Sequence, residues 1–67
     1  MESVYKVIEI IGTSDKSWEA AAKVALETAS KSIRDLRVAE VTEMDLKLEE
    51  GEFIYRVKLN ISFKYEG

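Results

Sequence analysis

FIYRVKLNISFKY, residues 53–65, alternates without interruption. Phe53, Tyr55, Val57, Leu59, Ile61, Phe63 and Tyr65 project to one side. Ile54, Arg56, Lys58, Asn60, Ser62 and Lys64 project to the other. A period of two with one apolar side is the pattern of a half-buried β-strand. Upstream lies EEGE (Glu49–Glu52), a charged turn in which Gly51 can supply positive φ. Before it, Arg37–Leu48 reads as a second strand. Val38, Thr42, Met44, Leu46 and Leu48 share one face, and Arg37, Ala39, Val41, Glu43, Asp45 and Lys47 the other. The two strands form a long hairpin.

Further upstream the period changes. In GTSDKSWEAAAKVALETASKSIRDL, Trp18, Ala22, Ala25, Ala29, Ile33 and Leu36 recur at spacings of three and four, the apolar stripe of a helix. The helix is expected from about Asp15 to about Ile33. Thr13 or Ser14 serves as its cap, Asp15 suits the positive end of its dipole, and Lys31 and Arg34 suit its last turns. The alanines allow close approach to a sheet. The first segment, Ser3–Gly12, is a strand rich in β-branched residues. Val4, Ile8 and Ile10 lie on one face with Lys6, and Tyr5, Val7 and Ile11 on the other with Glu9. Both faces are expected to be covered.

The order is therefore β-α-β-β, an α+β fold in a single domain over residues 1–67. A crossing helix makes the first two strands parallel. A three-stranded antiparallel sheet then requires the last strand in the middle, wrapped on one helix.

Composition narrows the function. The chain has 67 residues, no cysteine and no histidine. Disulfides and thiolate sites are excluded, and imidazole-based zinc or copper sites with them. A domain this small gains only about 3–5 kcal/mol from its core, so it needs outside support. Oligomerisation or a carboxylate-bound hard cation remains. The net charge is −3 and the ten basic residues are dispersed among acids, which argues against nucleic acid. No apolar run reaches the roughly 18–20 residues of a membrane span, and no basic, apolar leader opens the chain. A cytoplasmic protein is the expectation. Catalysis lacks its usual agents: there is no histidine base or cysteine nucleophile, the serines have no base partner, and IIGTS is not a phosphate loop.

Two carboxylates stand out. Glu43 and Asp45, two residues apart, project from one strand face and can share a Ca²⁺ ion. That ion takes six to eight oxygens at about 2.3–2.6 Å, so further copies of the chain, carbonyls or water must complete the shell. Glu9, Glu19 and Glu40 are weaker candidates of the same kind. The competing reading pairs Glu43 and Asp45 with Arg56 and Lys58 across strands. With Asn60, Arg56 and Lys58 could instead hold a phosphate. The acids of LEEGE read as a soluble hairpin tip.

The segments VYKVIEIIGTS, SWEAAAKVAL, LRVAEV and YRVKLNISF, covering about Val4 to Lys64, together resemble the dodecins. That resemblance implies a β-α-β-β protomer, a hollow homododecamer and non-enzymatic storage of flavins (riboflavin, FMN or FAD); some members are also described as binding coenzyme A. In the flavin-binding pattern the second strand carries a Trp that stacks on the isoalloxazine ring, and the third a Gln that bonds its polar edge. Here those positions are Val38 and Arg56. Valine offers no stacking platform, and arginine only donates. SWEAAA, RVAEVTEMDL and YRVKLNISFK resemble instead the calcium-binding branch of the family. Its implied ligand is a divalent cation, calcium, with flavin as the alternative and a ligand-free structural assembly as a third reading.

Overall fold

The computed structural model describes residues 2–65. Strand β1 (Tyr5–Ser14) leads to helix α1 (Trp18–Ala29), then strands β2 (Leu36–Glu49) and β3 (Glu52–Lys64). The sheet order is β1-β3-β2, and both pairings are antiparallel. The last strand lies in the centre, as an antiparallel sheet requires when the crossing helix makes the first two strands parallel.

The core sits where β3 meets the helix. Val57, Leu59 and Ile61 are 1%, 2% and 0% exposed, and Ala21 and Ala25 close over them. Ile8, Ile10, Trp18, Ala22, Leu26, Ala29, Ile33 and Leu36 pack around this centre. The predicted stripe is therefore present, but it omitted Ala21 and Leu26. Gly12 explains how closely the helix approaches. A Cβ at that position would overlap the Ala21 carbonyl oxygen and stand 2.8 Å from the Ala25 Cβ.

The helix begins later than expected. Ser17 is the N-cap, its hydroxyl accepting from the Ala20 N–H at 3.0 Å. Thr13 and Ser14 belong to β1, opposite Arg56 and Tyr55, because the ladder with β3 holds them extended. The helix also ends earlier, at Ala29, so Lys31 and Arg34 lie beyond its last turn. At the hairpin tip, Glu50 (φ 50°) and Gly51 (φ 80°) both take the left-handed region that a two-residue hairpin turn demands.

Strand β2 departs from simple alternation. Its pairing with β3 shifts between Leu36 and Val38 and again between Val41 and Glu43. The second irregularity is a bulge that leaves Thr42 without a ladder partner. Its hydroxyl donates to the Lys58 carbonyl at 3.2 Å. The bulge reverses the phase. Val41 pairs with Leu59 and Met44 with Val57 on the core side, while Glu43 and Asp45 pair with Lys58 and Arg56 on the other. Val41 and Ala39, opposite Ile61, thus leave the polar face predicted for them, and Val38, opposite Ser62, leaves the apolar one.

A single chain leaves much of its sheet uncovered. The 12 residues of α1 span about 18 Å, whereas the 14 of β2 span about 46 Å. The helix packs on β1 and β3. Every residue of β2 after Leu36 is exposed. Val7 and Ile11 on the outward face of β1 are exposed as well, so the cover expected there does not come from this chain. The chain exposes 5274 Å², against about 4,300 Å² for a compact monomer of its mass. Its radius of gyration is 13.7 Å, against about 11 Å for a compact domain of this length.

Candidate functional site

The charged group lies on the face of the sheet opposite the helix. The bulge at Thr42 brings Glu43 and Asp45 into register with Lys58 and Arg56. Arg56 binds Asp45 with both arms of its fork: Nε donates to Oδ1 at 2.7 Å and Nη2 to Oδ2 at 3.1 Å. Lys58 Nζ donates to Glu43 Oε1 at 3.2 Å. With Ile11 these four side chains line a polar depression of about 160 Å³. On the same face, Asn60 is flanked by Glu9 on β1 and Glu40 on β2.

The electrostatics follow the pairing. The hydrogen-bonded Arg56 guanidinium holds the Asp45 carboxyl below its ordinary range, helped by the charges of Arg56 and Lys58 and opposed by partial desolvation. The hydrogen bond to Glu43 raises the Lys58 ammonium, and the charges of Glu43 and Glu9 raise it further. All four side chains retain water contact, between 34% and 66% exposed. These are solvated pairs of the kind that contributes little to stability.

Trp18 supports the site from behind. Its indole N–H donates to the Asp45 carbonyl oxygen over a long 3.4 Å. Its ring stands edge-on to Tyr55, centroids 5.0 Å apart at 80°. The backbone of Asp45 is thus held from the helix side while its carboxylate faces away. Sequence reading assigned Trp18 to the helix stripe alone; the strand residue it touches follows only from the phase of β2.

Not every candidate converges. Glu43 and Asp45 are neighbours on one face, but among the described residues no three acidic groups come together as a ready ion site. Glu19 is in the first turn of α1, away from the group. Val38, 61% exposed, sits opposite Ser62, six residues along β3 from Arg56 or about 20 Å away. One chain does not bring those two positions together, and Arg56 is already engaged.

A sequence profile described as Dodecin matches residues 4–66. The chain belongs to the dodecin family. It is 54% identical over 63 residues to a protein named Calcium dodecin from Mycobacterium tuberculosis, covering 92% of this chain and 89% of that one. It is 40% identical over 67 residues to a Dodecin of Thermus thermophilus, covering 98% and 97%. A crystal structure of the M. tuberculosis calcium dodecin, described as calcium chelating with a novel calcium-binding site, superposes with a TM-score of 0.88 at 52% identity, over 96% of this chain and 93% of that one. The dodecin fold agrees with the β-α-β-β order read from the sequence, and the likeness to the calcium dodecin agrees with the branch that the sequence resembles. No helix among the described residues is long and apolar enough to cross a membrane.

Proposed function

We propose that this dodecin is a non-enzymatic binding and storage protein for divalent cations, calcium foremost, assembled as a hollow homododecamer. The observation that carries the ligand class is the 54% identity, across almost the whole chain, to a protein named Calcium dodecin. Glu43 and Asp45 are the residues assigned to the ion, because their spacing of two sets both carboxylates on one strand face and the bulge before them turns that face to solvent. A single chain supplies too few oxygens for the six to eight that Ca²⁺ takes. Neighbouring copies and water supply the rest. The uncovered sheet and the exposed apolar residues of β2 support self-assembly. Flavin fits less well, since Val38 gives no aromatic platform and Arg56 is held by Asp45. The absence of histidine and cysteine supports a role without catalysis.

Calorimetric titration of chelator-treated protein with Ca²⁺ tests the reading. Binding that disappears in the Glu43→Gln, Asp45→Asn double variant, with the assembly mass unchanged by native mass spectrometry, is the expected result. Undiminished binding in that variant moves the ion elsewhere. Flavin fluorescence quenched at micromolar flavin, with no calcium uptake, replaces the proposal with the flavin reading.

A further inference from the structure

We infer that Arg56 and Lys58 are resident counter-cations of the carboxylate site, and that a metal ion enters it only by displacing them. The inference rests on the assignment of Glu43 and Asp45 made above. It concerns what sets the strength of binding there rather than where binding occurs.

The geometry makes metal and side chain competitors. Both oxygens of Asp45 are taken, one by each arm of the Arg56 fork. Each oxygen keeps a second lone pair, but a Ca²⁺ ion bound through both oxygens at once needs the carboxylate edge that the two arms of the fork now occupy. One oxygen of Glu43 is likewise occupied by Lys58. Two carboxylates facing two cations have no net charge, whereas calcium affinity rises with the number of uncompensated ligand charges. An ion that arrives without expelling the guanidinium also meets its like charge at contact distance. Nothing locks the pairs shut. Arg56 and Lys58 are 41% and 34% exposed and can swing into water, and solvated pairs of this kind are individually weak. The face is therefore a tunable, low-affinity site whose threshold is written in two basic side chains of β3.

The test compares Ca²⁺ titrations of chelator-treated wild type, Arg56→Gln, Lys58→Gln and Lys47→Gln. Lys47 is the control: it removes the same unit of charge from the hairpin, but its own partner is Glu49. Each assembly is first weighed by native mass spectrometry. Lys58→Gln carries the test by itself if Arg56→Gln fails to assemble. The expected result is binding tightened by about three- to tenfold in Arg56→Gln and Lys58→Gln, with Lys47→Gln close to wild type. Equal affinity in all four overturns the inference and leaves the carboxylate site standing. Weaker binding in Arg56→Gln also overturns it, because Arg56 would then be positioning Asp45 for the ion. Absence of binding in every protein overturns the site assignment itself, and the inference with it.

Discussion

Gly12→Ala is the sharpest test of how the helix sits on the sheet. The added methyl would overlap the Ala21 carbonyl oxygen and lie 2.8 Å from the Ala25 Cβ. Ordinary contacts of these kinds need roughly 3.3–4 Å, so α1 must retreat by about 1 Å. A retreat of that size forfeits about a quarter to a half of the dispersion well for each contact it opens. Overpacking a filled core costs about 1–3 kcal/mol, and this position belongs at the upper end because the main obstacle is backbone. Against a core worth about 3–5 kcal/mol, that is half the protomer's stability or more. The expected fall in melting temperature is about 10–20 °C, measured by circular dichroism at fixed protomer concentration, since assembly makes the value concentration-dependent. Adding Ala25→Gly should restore little, because it clears the methyl and leaves the carbonyl. A Gly12→Ala protein melting within about 4 °C of wild type would refute the close approach as the reason for glycine. Full rescue by Ala25→Gly would refute the ranking of the two clashes.

Three further outcomes are expected. Deleting Thr42 should leave an assembled protein, because Val41 and Glu43 already face the consecutive residues Leu59 and Lys58 and both halves of the ladder keep their partners; loss of the assembly by native mass spectrometry would contradict this reading of the bulge. Ser17→Ala should lower stability by about 1 kcal/mol in urea titration, while Thr13→Ala, outside the cap, should not remove a cap contribution. The Asp45 carboxyl is held below its ordinary value of 3.8 when folded, so its contribution is present above that value and is lost as pH falls through the lower folded value. The fall of melting temperature as pH drops below that ordinary value should therefore be shallower in Asp45→Asn than in wild type.

The alternation of Phe53 to Tyr65 was enough to place the strand and, through the crossing rule, to put it in the centre of the sheet. Gly51 announced the turn. The bulge at Thr42 had no such marker: no glycine or proline flags it, and an extra residue in one strand is defined only by what the other strand presents. Unbroken alternation therefore grouped Val41 with Glu43, although the pair of carboxylates and their cationic partners were correctly anticipated as a cross-strand alternative. Three hydroxyl residues, Thr13, Ser14 and Ser17, were chemically fit to cap the helix. The choice fell to Ser17 because β1 stays paired with β3 through Ser14, a tertiary fact. The long contact from Trp18 to the Asp45 carbonyl likewise depended on the phase of β2, which local pattern did not contain.

The central position of β3 also bears on how the chain is born. β1 and β2 are neighbours only through β3, and β3 is synthesised after both. Before it emerges, a nascent chain can form the helix but no sheet, and two strands with exposed Val, Ile, Leu and Met side chains wait without partners. Unpaired strands of this composition invite association with other chains. Charged residues interrupt the apolar ones along both strands, Lys6 and Glu9 in β1 and Glu40, Glu43, Asp45 and Lys47 in β2, the kind of placement that breaks up aggregation-prone runs. The sheet can close only once β3 is available, because each outer strand finds its ladder partner there and nowhere else in the chain.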